Sequence, residues 1–467
     1  MAVVDDDMSS TKASPRLEPG PFPATRPRGR VAFVVPLLGA AGVGLAAGAS
    51  PRITLVLSAA LVAALVLTVR LEWAALAVIG SAVFEDYLDL LSPWATEWLV
   101  LLMVVAWAVR RAQGPLHEHR LLTTAVPAAV FAVALALAAT VHLNGHAGLV
   151  ACARYAELVV VLLVLTDTLS GPLAPLRAVR FYVWSCVLAA LCGIVTALVR
   201  EPHRVAGPLA GADDLAFFLL AAVPLVGAIR TRSRQPEWWI WAAFATLVCA
   251  LVGTQSRGAV AALAVMLVIS VVFRMLPLRY AGVVLVLAAT CIAFVLAVRP
   301  HPMGEAISDS QRYAETRIAE RNDLRAAAVM MIREQPVVGH GPGAFPLFHQ
   351  DYRADDADPG DLDLDTAYSS ALESAAELGV VGSAALFGVF VVPGIAAIRR
   401  WRRVRSDLTA ATLLALAGLL GAALIESQQY RLPLWFIAAL AAALGHRARR
   451  RIPWFDDNSS GQVPTRK

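Results

Sequence analysis

The chain has 467 residues, of which 58% are hydrophobic and only 16% are charged. Soluble globular domains contain about 25% charged and about 45–50% apolar residues, so this composition excludes a soluble globular protein. The formal net charge is +5, but the basic residues form no surface interleaved with aromatic side chains. We therefore predict an integral membrane protein with membrane lipids as neighbours and no nucleic-acid partner.

Apolar runs of membrane-spanning length follow one another along most of the chain. A bilayer core of about 30 Å needs about 20 mostly apolar residues per helix, and the period-two alternation of membrane strands is missing. The predicted fold is an all-α polytopic membrane helix bundle with about 12–14 transmembrane helices. The predicted spans are 31–49, 53–69, 73–84, 94–109, 121–141, 147–166, 179–199, 213–229, 237–253, 257–273, 280–298, 376–398, 409–425 and 432–446.

Arginine is concentrated in every second loop, for example at Arg110 and Arg111 and again over 399–405. The positive-inside rule places these loops, and both termini, in the cytoplasm. The predicted segments are a cytoplasmic tail expected to be disordered (1–30), transmembrane helices (31–298), an extracytoplasmic loop domain (299–375), C-terminal transmembrane helices (376–446) and a basic cytoplasmic tail (447–467).

Four arginines are exceptions to this alternation. Arg204, Arg257, Arg321 and Arg431 lie on the predicted outer face, where arginine is scarce. A guanidinium is suited to bidentate recognition of phosphate, so the group predicts a site for a lipid-linked pyrophosphate at the membrane surface. The alternative for any one of them is an arginine that reaches the lipid headgroups and has no ligand.

The large outer loop contains a predicted amphipathic helix over 311–335, which Pro336 ends. Three glycines follow at Gly339, Gly341 and Gly343. They allow either a tight structural turn or a close approach to a ligand, and the pattern alone leaves both open.

An acidic run over 351–365 contains seven aspartates. Asp361, Asp363 and Asp365 have the spacing that begins a calcium loop, but Thr366 stands where that loop needs glycine. The five cysteines lie inside apolar runs at irregular spacing. We therefore predict a solvated acidic loop, with no metal site, no disulfide framework and no cofactor.

Several motifs in chain order resemble the O-antigen ligase and polymerase superfamily of bacterial membrane glycosyltransferases. The resemblance covers about 200–385. The motifs are an arginine, glycine and acidic stretch (204–216), Thr-Gln-Ser-Arg-Gly (254–258), a loop helix with a following glycine motif (321–345) and a segment that opens the next span (377–382).

This resemblance implies a glycosyltransferase of the bacterial plasma (inner) membrane. Such an enzyme moves glycan from a polyprenyl-pyrophosphate donor to a hydroxyl of a lipid, glycan or protein acceptor on the outer face. It is expected to invert the anomeric configuration and to need neither a metal nor a nucleotide sugar. Ligation and polymerisation differ only in the acceptor, so both remain open.

The family usually has a histidine where this chain has Tyr368. Tyrosine, with an ordinary pKa of about 10, is a poor general base at neutral pH. The catalytic candidates are therefore Asp365, Tyr368 and His349, with Asp365 favoured over His349 as the base. The predicted substrate-binding residues are Arg204, Arg257, Arg321 and His340.

Two other functions fit parts of the pattern. A transporter or flippase of lipid-linked glycans would also have many spans and an arginine-lined cavity, although the internal repeats and broken helices common in transporters are not evident in the sequence. A non-catalytic family member, with a scaffolding or binding role, is the second alternative, and the tyrosine in the histidine position is its motivation.

Overall fold

The computed structural model describes residues 70–90, 92, 94–113, 122–199, 205, 207–209, 211–230, 237–273, 282, 321–352 and 366–446. All regular structure in these ranges is helical, which confirms the predicted all-α fold class. The predicted spans 31–49 and 53–69 lie outside the described residues, as does 280–298 apart from residue 282. The two terminal tails also lie outside them, as does the acidic run over 351–365 apart from its first two residues.

The helices are numbered here in chain order. They are α1 (Leu71–Ser81), α2 (Glu85–Asp89), α3 (Ala95–Gln113), α4 (Leu122–Val141), α5 (Gly145–Ser170), α6 (Pro175–Val199), α7 (Ala212–Arg230), α8 (Glu237–Gly253), α9 (Arg257–Val272), α10 (321–334), α11 (Phe345–Phe348), α12 (Ser370–Val404), α13 (Asp407–Ala423) and α14 (Leu432–His446).

Five of these helices, α4, α5, α6, α7 and α12, are long and apolar enough to cross a membrane. Four shorter apolar helices, α8, α9, α13 and α14, lie at other predicted spans. The predicted span 73–84 overlaps α1, which begins two residues earlier and whose 11 residues at about 1.5 Å each are too few to cross a bilayer alone. A 3₁₀ turn over Ala82–Phe84 continues α1 into α2.

Helices α7 and α14 form the centre of the bundle, because nearly every residue in both is buried. Helix α4 instead exposes one face, with Val126, Val130, Val133 and Leu137 spaced three or four residues apart. An exposed apolar face of this kind suits contact with lipid chains. The described part of the chain is therefore a multi-pass membrane bundle.

The two ends of the bundle carry different polar contacts. At one end, Arg177 pairs with Glu72 at 3.0 Å and Arg111 pairs with Asp167 at 3.2 Å. At the opposite end, α7, α9 and α12 begin and the connection over 424–431 joins α13 to α14. We call this opposite end the site end; it is the end that the arginine pattern predicts to face outward.

Candidate active site

The site end collects polar side chains from six parts of the chain. The 424–431 connection lies among the first turns of α7, α9 and α12, while α2 and α10 approach from its sides. The residues that interact there are Glu85, Asp213, Asp214, Ser256, Arg321, Arg325, Tyr368, Glu373, Glu426, Ser427, Gln428, Gln429 and Arg431.

Ser256 caps α9 and also holds a carboxylate. Its Oγ accepts a hydrogen bond from the Ala259 N–H at 3.3 Å and donates one to Glu426 Oε1 at 2.8 Å. A Cβ added to Gly258 would lie 2.5 Å from the same Glu426 oxygen, so glycine leaves the space that this carboxylate occupies. The Ser-Arg-Gly sequence thus places Glu426 at the start of α9, where the helix dipole stabilises a negative charge.

Arg431 links three elements of the site end. Its Nη2 and Nε donate to Asp214 Oδ2 and Oδ1 at 2.6 and 3.1 Å. Its Nη1 donates to Glu85 Oε2 at 2.9 Å. Burial raises the pKa of Glu85, and the positive charge of Arg431 opposes that shift. Each nitrogen of this guanidinium thus donates to a carboxylate, which ties the connection to α7 and α2.

Arg321 is held much more loosely. Its guanidinium carbon lies 4.4 Å from the centre of the Tyr368 ring, and Nη2 lies 3.8 Å from Asp213 Oδ2. These are the interactions that Arg321 makes within the described part of the chain, and neither is a hydrogen bond of ordinary length. About a quarter of the side chain, 25%, is exposed. This guanidinium therefore keeps N–H donors for a ligand.

Arg325 follows Arg321 by four residues and lies on the same face of α10. Its Nη2 donates to the Tyr368 carbonyl at 3.1 Å and to the Ile425 carbonyl at 3.0 Å. These bonds fix α10 to the start of α12 and to the 424–431 connection. Arg325 is thus hydrogen-bonded to backbone carbonyls, whereas Arg321 makes no such bond within the described ranges.

The first turns of α12 are joined to the 424–431 connection by buried polar groups. Glu373 accepts hydrogen bonds from Ser427 Oγ and Gln429 Nε2, both at 2.5 Å, and from the Ala367 N–H at 3.1 Å. Ser370 Oγ accepts from the Gln428 N–H at 2.8 Å. A buried carboxylate with three donors organises this junction.

The glycine motif packs its backbone directly against the α4–α5 connection, the start of α5 and the break inside α12. Gly339, Gly341 and Gly343 all have positive φ, as does Gly379, which interrupts the helical φ/ψ of α12. A Cβ on Gly341 would lie 2.0 Å from the His142 carbonyl between α4 and α5. The observed contacts favour the tight structural turn over the approach to a ligand, the two readings that the sequence left open.

Residues 242–387 match the O-antigen ligase family. The predicted resemblance to the O-antigen ligase and polymerase superfamily is thereby confirmed, and the match supports a glycan-transferring membrane enzyme of the ligase or polymerase type. No curated protein shows a significant match to the chain.

The segment that matches the O-antigen ligase family contains three of the six parts of the site end, namely the first turn of α9, α10 and the first turns of α12. It runs from α8 through α9, α10 and the glycine motif into the first part of α12. It therefore includes Ser256, Arg321 and Tyr368. Asp214 and Arg431 lie outside it and reach the same site through the fold.

The predicted site residues differ in what the structure shows of them. Arg321 and Tyr368 are in contact at the site end. Arg204 and Asp365 lie outside the described residues, and Arg257 is described only as the backbone that begins α9. The roles proposed for all three stay predictions.

His340 and His349 lie beside the glycine motif. The Tyr352 hydroxyl donates its proton to Glu334, so the 3.1 Å contact between His340 Nε2 and that hydroxyl needs the proton on Nε2. His349 is buried, stacks on Phe345 and contacts the Phe345 carbonyl through Nδ1 at 3.1 Å. Their predicted roles in binding and catalysis stay untested.

Sequence reasoning missed the parts played by Arg325 and Gln428. The four-residue spacing from Arg321 was a usable signal for Arg325, since it places both on one helix face. Gln428 had no local signal, because its partner Asp214 is 214 residues away in sequence. Among the described residues, no three His, Cys, Asp or Glu side chains are grouped to hold a metal ion.

Proposed function

We propose that this protein transfers or polymerises glycan from a polyprenyl-pyrophosphate donor to an acceptor hydroxyl on the outer face of the bacterial plasma membrane. The observation that carries the proposal is Arg321, which lies inside the segment that matches the O-antigen ligase family and whose guanidinium makes no hydrogen bond of ordinary length to another described residue. Cell-envelope or exported polysaccharide is the product class.

The three described arginines of the site end divide into two groups. Arg431 already donates to two carboxylates and Arg325 to two carbonyls. Among the residues that the structure describes, Arg321 has only a 3.8 Å ion pair and a ring contact. A pyrophosphate oxygen at hydrogen-bond distance would replace the long pair with Asp213 by a shorter, charge-assisted bond. Arg321 is therefore the described arginine best placed to bind the donor, with Arg204 and Arg257 as further predicted ligands.

The reaction is a substitution at the anomeric carbon of the donor sugar. The acceptor oxygen forms a bond to that carbon, and the bond from the carbon to the pyrophosphate oxygen breaks with its electron pair leaving on the pyrophosphate. Attack from the opposite face inverts the configuration. The acceptor proton passes to a base, for which Asp365 stays the favoured candidate and His349 the second.

Pyrophosphate is a good leaving group, so the reaction depends less on a strong general base. The positive charge around the departing pyrophosphate then supplies much of the rate acceleration. Guanidinium groups fixed where negative charge develops stabilise the transition state more than the ground state. This proposed mechanism uses no metal and no nucleotide sugar. Its products are the extended or ligated glycan and a polyprenyl pyrophosphate without its sugar.

Glycan profiling in cells tests the proposal. Cells that lack the native protein are complemented with wild type, Arg321→Ala or Arg177→Ala, the last as a control at the opposite end of the bundle. We expect Arg321→Ala to accumulate lipid-linked precursor and lose the transferred or polymerised glycan. Equal product from both variants, at equal membrane abundance, would remove Arg321 from the reaction.

A further inference from the structure

The contact between Arg321 and Tyr368 carries an inference that rests on the proposed function and extends it. The guanidinium carbon lies 4.4 Å from the ring centre, well inside the range of about 6 Å for a cation–π interaction. Such an interaction uses the face of the ring and no hydrogen bond. It therefore holds the cation without using the N–H donors that a phosphate needs.

Tyr368 is itself fixed in an unusual backbone conformation. Its φ is +49°, in the left-handed region that non-glycine residues rarely adopt. The Tyr368 carbonyl accepts from Arg325 at 3.1 Å, and the next residue, Ser369, caps α12 by accepting from the Leu372 N–H at 3.4 Å. The fold thus sets the ring position through the backbone, before any ligand is present.

We infer that Tyr368 is a positioning residue whose aromatic ring orients Arg321 toward the donor pyrophosphate. Its hydroxyl is not needed for this role. The ring holds the guanidinium on one side. On another side Arg321 Nη2 lies 3.8 Å from Asp213 Oδ2, and a bound phosphate oxygen would replace this carboxylate as the partner of Nη2. Tyr368 then acts through Arg321 and makes no direct contribution to proton transfer.

The choice of substitutions follows from the left-handed backbone. Tyrosine, phenylalanine, leucine and methionine are all unbranched at Cβ, so each meets a similar backbone cost at φ +49°. Tyr368→Phe keeps the ring and removes only the hydroxyl. Tyr368→Leu and Tyr368→Met remove the ring and keep an apolar side chain. The comparison therefore isolates the ring face.

The test is a double-mutant cycle on binding of undecaprenyl pyrophosphate to the purified full chain in nanodiscs. We expect Tyr368→Leu and Tyr368→Met to weaken binding by about tenfold, the size of a partly desolvated cation–π contact. Tyr368→Phe should restore most of the affinity. In the Arg321→Ala background, Tyr368→Leu should cause little further loss, because the ring acts through the guanidinium.

The outcomes separate this inference from the proposed function. Wild-type affinity in both non-aromatic variants, or equal losses in Tyr368→Phe and Tyr368→Leu, overturns the positioning role. Fully additive losses from Tyr368→Leu and Arg321→Ala overturn it as well, because they indicate a general structural effect. If Arg321→Ala itself binds like wild type, the pyrophosphate site of the proposed function fails. Thermal melting of each variant without ligand shows whether the fold is retained.

Discussion

Gly339 and Gly379 approach each other so closely that a Cβ on Gly339 would lie 2.4 Å from the Gly379 backbone nitrogen. The Gly339 φ is +74° and the Gly379 φ is +69°. The Val380 N–H, just after the second glycine, donates to the Pro336 carbonyl at 2.8 Å. This backbone contact joins the glycine motif to the break in α12 and so positions the C-terminal end of α10, the helix whose first described residue is Arg321.

Gly339→Ala is expected to prevent this contact. The added methyl would clash with backbone, which cannot move aside as a side chain can, and alanine is also strained at positive φ. We expect little folded protein, measured as the monodisperse fraction of a fluorescent fusion in detergent. The matched control is Gly388→Ala in α12, where no heavy atom lies within 4 Å of the added Cβ. Equal yields of the two variants would contradict this account.

Arg431→Ala is expected to lower the free energy of unfolding by about 2 kcal/mol, because it removes charge-assisted hydrogen bonds and leaves two carboxylates without their cation. The measurement is thermal or denaturant unfolding in detergent. Arg177→Ala removes the exposed pair with Glu72 and a cation–π contact with the exposed Trp73 ring at 4.9 Å, and the two losses together should cost at most about 1 kcal/mol. A larger loss from the Arg177 variant than from the Arg431 variant would refute the assigned linking role.

Ser256→Ala is expected to cost about 1 kcal/mol for the lost cap of α9, and more because Glu426 loses a hydrogen-bond donor. Ser270→Ala in the same helix is the control. Within the described residues, the Ser270 hydroxyl donates to the Leu267 carbonyl of its own helix and to no other group, so its removal should be close to neutral. Unfolding of the two variants, measured side by side, checks the difference. Similar melting temperatures for both would speak against the junction with Glu426.

The pair of Tyr352 and Glu334 gives a prediction in the alkaline range. The hydrogen bond to Glu334, aided by burial and nearby negative charge, raises the pKa of Tyr352 from 10.0 to about 12. Because the folded state holds this proton more tightly, the stabilisation is complete below pH 10 and is lost as the pH rises toward about 12.

Glu334→Gln should return the pKa of Tyr352 toward 10, the ordinary value for tyrosine. Phenolate absorbance during an alkaline titration measures this pKa. Subtracting the titration curve of Tyr352→Phe isolates the signal of Tyr352 from those of the other tyrosines. An unchanged titration in Glu334→Gln would show that the carboxylate does not hold the hydroxyl.

The fold class followed from the sequence because long apolar runs have one solution in a bilayer, a helix with its backbone bonds satisfied internally. Arg321 could also be selected, since an arginine on the base-poor side of the membrane is an exception that charge alternation reveals. Both inferences depend on local composition, which a single sequence contains.

The junction around Glu426 could not be predicted in this way. Its partner Ser256 lies 170 residues earlier, and no local pattern in either segment specifies that pairing. The Arg431 link to Glu85 spans 346 residues. Such contacts depend on how the helices pack, so the sequence indicated which residues were polar but not which of them meet. The sequence likewise could not show that Arg431 is hydrogen-bonded to two carboxylates while Arg321 makes no hydrogen bond of ordinary length to another described residue.

Binding of undecaprenyl pyrophosphate to the purified wild-type chain and to Arg321→Ala, with Arg177→Ala as control, tests the central claim most directly. The account predicts that wild type and Arg177→Ala bind with similar affinity and that Arg321→Ala binds at least about tenfold more weakly, as expected for a lost charge-assisted contact. Undecaprenyl monophosphate should show a smaller difference. Equal affinity of Arg321→Ala and wild type for the pyrophosphate would contradict the account.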